Sequence, residues 1–142
     1  MKLVPYRHRV HYYETDTMKV VHHSNYIRWM EEARCDMLEQ MGIGYDGMEK
    51  EGVMSPVLRV ECEYKSMTRY ADTVEISARL ESYTGVRFEI SYEIRDAASG
   101  ELRAKGRSSH CFIDGRGPIS LRRNFPAWDA VFRAALDTGA EN

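Results

Sequence analysis

The stretch YYETDTMKVVHHSNYIRWMEEAR, Tyr12 to Arg34, decides how the chain folds. It leaves a strand-like run at an acid, passes two adjacent histidines and enters a segment in which Tyr26, Met30, Ala33, Met37, Leu38 and Met41 recur at steps of three and four. That is helical spacing with one apolar stripe. Ser24 or Asn25 can serve as N-cap and Gly42 as the residue that stops the helix. The spacing therefore predicts a helix over residues 25–41, about 25 Å long at ~1.5 Å per residue.

On either side of this helix the period is two. Upstream, Val10-His11-Tyr12-Tyr13 reads as a first strand, ending before Asp16. Downstream, a glycine-rich loop, Gly42 to Gly52, leads to Val60, Cys62 and Tyr64 alternating with Arg59, Glu61, Glu63 and Lys65. Val74, Ile76, Ala78 and Leu80 repeat the alternation, as do Val86, Phe88, Ile90, Tyr92 and Ile94, with turns at Tyr83-Thr84-Gly85 and Ala98-Ser99-Gly100. These are half-buried strands of an antiparallel meander. A last strand over 102–113 carries Ser108, His110 and Cys111 among apolar groups, and an amphipathic helix over 128–136 closes the chain. One strand, one long helix and four long strands make an α+β layer, a central helix wrapped by a five-stranded antiparallel sheet. Ten-residue strands reach about 33 Å, enough to curl around the helix. Arg59, Glu61, Glu75, Arg79 and Glu89 would face solvent on the other side of the sheet, and sheet edges could pair between subunits.

Composition narrows the function. The chain has 142 residues, the size of one domain, so residues 1–142 are expected to form a single unit. Twenty basic against 22 acidic side chains give a formal charge of −2, without the basic excess that binding to nucleic acid requires. Cys35, Cys62 and Cys111 are odd in number and far apart, which argues against a disulfide framework or a zinc knuckle. The N-terminal MKLVPYRHRV lacks the apolar core of a signal peptide, and no long apolar run follows. A soluble, cytoplasmic protein without a membrane span is expected.

Asp16 precedes the helix start by about eight residues, so the chain can fold its carboxylate back over the helix N-terminus. Unpaired N–H groups of a first turn carry partial positive charge and can hold a developing oxyanion. A carboxylate opposite a carbonyl polarised there suits acyl transfer, with Asp16 as base or nucleophile and amides near His23 to Asn25 as donors. The simpler alternative is an aspartate that ends a strand in a turn. His22 and His23, with Asp16, Glu14 and His11 nearby in sequence, invite a metal reading, but adjacent histidines on a loop lack zinc-site spacing. No metal is expected. Tyr26, Trp29, Tyr64 and Tyr92 could line a tunnel for an acyl group. Lys65, Arg69 and Lys105 could hold phosphates, although scattered cations are more often only solubilising.

The run TDTMKVVHHSNYIRWMEEAR, Thr15 to Arg34, resembles the signature of hotdog-fold acyl-CoA thioesterases, in the 4-hydroxybenzoyl-CoA thioesterase branch that includes the Tol-Pal-associated enzymes. YKSMTRYADTVEI, Tyr64 to Ile76, resembles that family's second segment, and SSHCFIDGRGPISL, Ser108 to Leu121, its last strand and following loop. The resemblance implies hydrolysis of an acyl-CoA thioester to free acid and CoA without metal or redox cofactor. It places Asp16 at the catalytic carboxylate and the main-chain N–H of His23 at the oxyanion position, with the His23 imidazole a substrate-facing neighbour. Asn25 and Tyr26 would shape the pocket. Lys65 and Ser66 would reach the thioester from the other subunit of a homodimer or homotetramer, with the site at the dimer interface. An acyl-CoA-sensing protein without catalysis and a hotdog dehydratase are the alternatives, the second kept open by His23. Two positions depart from the pattern. Lys19 and Ala71 stand where glycine is common, which implies a different backbone shape in the loop after Asp16.

Overall fold

The computed structural model describes residues 2–140, with side chains to Leu136. Helix α1 spans Ser24–Gln40, and its eight buried residues include Tyr26, Trp29, Met30, Ala33, Met37 and Leu38, so the expected stripe is the face it buries. Gly42 ends it at φ 88°, donating to the Glu39 carbonyl while Ile43 N–H reaches back to Leu38. These two bonds satisfy carbonyls that the helix end would otherwise leave bare. The start differs from expectation, because His23 occupies the cap position without a side-chain cap bond. Ser24 Oγ instead bonds His22 Nδ1, and Asn25 Nδ2 donates to the carbonyls of Glu14 and His22.

Five strands form one antiparallel sheet in the order β1-β3-β4-β5-β2: β1 Tyr6–Arg9, β2 Val57–Tyr64, β3 Thr73–Tyr83, β4 Arg87–Asp96 and β5 Leu102–Cys111. The helix covers one face, chiefly over β3 and β1. Ala78, Tyr92, Gly106 and Cys62 form a row across β3, β4, β5 and β2. A Cβ on Gly106 would come within 2.7 Å of Met30 Sδ and 2.8 Å of the Glu61 carbonyl, so only glycine admits the helix this close. On the outer face, Arg7 pairs with Glu75, Arg59 with Glu61, and Arg79 and Arg107 with Glu81, which fits the solvent-facing charges expected there.

Several expected boundaries move. The first strand is Tyr6–Arg9, not Val10 to Tyr13; Tyr12–Glu14 is a 3₁₀ turn that buries Glu14 while leaving Tyr12 and Tyr13 exposed. Within the glycine-rich loop a short helix α2, Tyr45–Lys50, forms so that Met48 can enter the core beside Ile43 and Val53. β5 stops at Cys111, and Ile113 pairs instead with Pro118 in a two-residue ribbon, β6 Ile113–Asp114 with β7 Gly117–Pro118. After a short α3, Leu121–Asn124, helix α4 spans Pro126–Ala140, longer than its apolar pattern predicted because Pro126 can occupy a first turn. Strand β2 is less covered than its alternation implied: Val60 and Tyr64 remain 38% and 47% exposed, since it is an edge strand that the helix covers less than β3 and β1.

Candidate active site

The Asp16 loop is a tight reversal. Thr15 bridges Val21, the Asp16 N–H reaches the Val20 carbonyl at 2.9 Å, and Asp16 Oδ1 accepts the Met18 N–H at 2.8 Å. The carboxylate is half-buried, with its turn stabilised by its own side chain. Lys19 sits at φ 63° in this loop and Ala71 at φ 70° in the turn before Asp72. Both therefore adopt the left-handed backbone that a glycine would supply. The loop keeps that shape despite the substitutions, contrary to the altered backbone expected from sequence.

Two hydrogen bonds fix this loop to the start of α1 and a third ties it to the segment after β2. His22 N–H donates to the Glu14 carbonyl at 2.9 Å, Asn25 Nδ2 donates to the same carbonyl at 3.0 Å, and Val21 N–H donates to the Thr68 carbonyl at 2.8 Å. The Tyr26 hydroxyl donates to Thr68 Oγ1 at 3.0 Å, and burial holds that phenol above its ordinary pKa. Asn25 and Tyr26 thus brace the site with polar atoms engaged inside the chain. His23 is exposed, its ring 4.2 Å from that of His22 and 6.1 Å from that of Tyr64. Its carbonyl accepts the Tyr64 hydroxyl at 3.2 Å, while its own N–H has no hydrogen-bond partner among the described residues. An unpaired N–H at the head of a 17-residue helix is the donor an oxyanion requires.

Lys65 and Ser66 follow β2. Lys65 Nζ lies 2.8 Å from Glu63, and Ser66 Oγ donates to the Leu102 carbonyl at 2.8 Å and accepts from Arg103 at 3.1 Å. Within one chain their polar atoms engage Glu63 and β5, while the Asp16 loop meets this segment further on, at Thr68 and Arg69. Of the aromatic groups expected to line a tunnel, Trp29 and Tyr92 are packed in the core with indole N–H and hydroxyl bonded, and Tyr64 is the exposed one. Exposed Tyr12, Met18, Met67 and Tyr70 give the loop an apolar rim, Tyr12 and Tyr70 meeting edge to face at 5.6 Å. A concavity of about 900 Å³ lies elsewhere, on the charged outer face of the sheet among Arg79, Glu81, Glu93, Lys105 and Arg107.

Sequence reasoning weighed Glu14 only as a metal ligand. It is 5% exposed and accepts three bonds: His8 Nε2 at 2.8 Å and the His11 N–H at 2.7 Å on Oε1, and Trp29 Nε1 at 2.7 Å on Oε2. Burial opposes its ionisation, but the His11, His8 and Trp29 bonds outweigh burial and hold the carboxyl below its ordinary pKa. His8, His11 and Glu14 bring potential ligand atoms within 4.8 Å of one another, a cluster different from the His22-His23 pair that sequence singled out. His8 carried no sequence signal, because its partner lies past a turn.

Residues 10–136 match the Thioesterase-like superfamily. The chain belongs to this family. It is 38% identical over 128 residues to YneP of Bacillus subtilis, a protein named provisionally as an acyl-CoA thioesterase, and the match spans 89% of this chain and 92% of that one. The DHNA-CoA thioesterase of Staphylococcus aureus superposes with a TM-score of 0.90 at 33% identity, covering 96% and 93% of the two chains. A hypothetical protein of Aquifex aeolicus superposes with a TM-score of 0.83, also at 33% identity, over 92% of this chain and 99% of the other. The fold is accordingly the hotdog, and the expected class, a thioester hydrolase, agrees with the family.

Proposed function

We propose that the chain hydrolyses acyl-CoA thioesters to a free acid and CoA, using Asp16 and the N-terminal turn of α1. The observation that carries this reading is the unpaired His23 N–H at a helix start that hydrogen bonds tie directly to the loop presenting the Asp16 carboxylate. The thioester oxygen accepts from His23 N–H, so charge that develops on it in the tetrahedral intermediate meets a fixed donor and the positive end of the helix. Asp16 then takes one of two parts. As base it accepts a proton from water as the water oxygen bonds the carbonyl carbon; as nucleophile its oxygen bonds that carbon and water cleaves the anhydride afterwards. In both, the C–S bond breaks and the departing thiolate takes up a proton. No metal or redox cofactor enters these steps.

The names of these relatives point to CoA thioesters, one with an aromatic acyl group. The exposed edge of β2 and the apolar Val57, Leu58 and Val60 beside it support a homodimer, or a tetramer of dimers, in which Lys65 and Ser66 approach the partner's thioester. A cytoplasmic location suits an enzyme acting on CoA esters, and no described helix is long and apolar enough to cross a membrane.

The test is release of free CoA thiol from short-chain, long-chain and aromatic acyl-CoAs, wild type beside Asp16→Asn. Turnover by the wild type should fall by about a hundredfold or more in the variant, as losing a general base or nucleophile demands. Equal turnover by the two would remove Asp16 from the chemistry, and tight binding without turnover would favour a sensing role.

A further inference from the structure

We infer that Glu14 is a positioning residue of this site, whose buried carboxylate sets the spacing between the Asp16 loop and the oxyanion end of α1. The inference rests on the thioesterase reading above and assigns a part to a group that the chemistry itself does not use.

Glu14 joins four separate pieces of the chain. Its carboxylate accepts from His8 in β1, from the His11 N–H at the 3₁₀ turn and from Trp29 one turn into α1. Its own carbonyl accepts the His22 N–H and Asn25 Nδ2, from the residues one before and two after His23. One residue further on, the Thr15 to Val21 bridge closes the loop that presents Asp16. The two groups proposed to act on the thioester are therefore each within two residues of a bond made to Glu14.

A carboxylate is a costly way to fill this space. Burying a charge loses its hydration, and an apolar side chain of similar volume would pack against Trp29 without that loss. What the carboxylate adds is direction. Three donors from three elements converge on two oxygens, which leaves little freedom to the turn that carries them. His8 is held in turn, with Nδ1 facing Glu32 at 3.6 Å and its ring 5.0 Å from that of Trp29. Acyl transfer punishes misplacement of a reacting group by 1 Å with losses of about a hundredfold, so such a clamp acts on rate more than on substrate affinity.

The experiment is steady-state kinetics at 25 °C on the best acyl-CoA of the panel, for wild type, Asp16→Asn, Glu14→Gln and Trp29→Phe, with the folded state of each checked by its thermal unfolding. Glutamine keeps the shape but brings an amide that cannot accept from both Trp29 and the His11 N–H. Glu14→Gln should lower kcat by about tenfold to a hundredfold with KM within about twofold of wild type. Trp29→Phe removes one donor and should lower kcat less, again with KM held. If Glu14→Gln does not fold, Trp29→Phe alone decides. The double variant Glu14→Gln/Trp29→Phe, measured beside them, should lower kcat by less than the product of the two single effects, since both changes act on one set of bonds. A kcat within twofold of wild type in the folded variants, while Asp16→Asn is inactive, overturns the positioning role and leaves the site intact. Activity retained by Asp16→Asn overturns the site reading instead. A purely structural Glu14 would lower the unfolding temperature and leave kcat unmoved.

Discussion

Lys19 shows how a residue can depart from a pattern and still obey it. At φ 63° its Cβ crowds the following carbonyl, a strain that costs an L-residue roughly 1–2 kcal/mol. Glycine avoids the strain but loses about 0.5–1 kcal/mol through the freedom of its unfolded chain. Lys19→Gly should therefore stabilise the protein by up to about 1 kcal/mol, read as a rise in the urea midpoint at constant slope. A lower midpoint would mean that Lys19 makes contacts worth more than its strain. The sequence showed which residue was unusual but not what it did, because φ is set by closure of the loop between Thr15 and Val21. Glu14 was obscured for a related reason. Its partners His8 and Trp29 lie 6 and 15 residues away, and only the 3₁₀ turn brings them together. The position of Asp16 in a turn ahead of α1 was legible, since a carboxylate eight residues before a strongly periodic helix needs little tertiary information to be placed, whereas the roles proposed for Asp16 and His23 rest on the family resemblance.

Among the elements, long periodic ones were legible and short ones were not. Helix α1 and strands β3 and β4 carry their burial in their spacing, and their observed faces follow it. Helix α2 was hidden by Gly47 in its middle and by having one buried residue, Met48. Strand β1 was hidden because YRHR alternates between polar residues, of which His8 is the buried one. Strand β2 is informative through its exposure. An edge strand with uncovered Val57, Leu58 and Val60 presents unpaired main-chain groups beside apolar side chains, a surface that proteins ordinarily pair or protect. If β2 pairs with its copy in the proposed dimer, Val60→Lys should give a folded monomer by sedimentation equilibrium, with most turnover lost because the site is then incomplete. A wild type that sediments as a monomer at micromolar concentration would refute the pairing.

Across the whole molecule, a buried polar chain runs from α2 through α1 into the sheet. Arg34 donates to the hydroxyls of Tyr45 at 2.9 Å and Tyr92 at 3.4 Å; Tyr92 bonds Ser108 at 2.6 Å, and Ser108 bonds His110 Nε2 at 2.8 Å. His110 is fully buried and stacked on Phe88 at 4.7 Å. Burial first, and then the nearby Arg34 cation, push its pKa from 6.5 down to about 3. The unfolded chain thus binds a proton at this position below about pH 6.5 that the folded chain refuses until about pH 3. Stability is complete above that window and falls as pH drops through it, by at most about 1.4 kcal/mol per pH unit for one proton. Glu14 acts in the same direction at lower pH, because its lowered carboxyl pKa makes the folded state the weaker proton binder there too. Urea midpoints should therefore decline from pH 6.5 towards 4.5, and His110→Phe, which keeps a ring against Phe88, should flatten that decline whatever it does to absolute stability. Equal slopes in wild type and variant would show that His110 does not take up its proton on unfolding, and the acid sensitivity of the fold would then have to lie with its carboxylates.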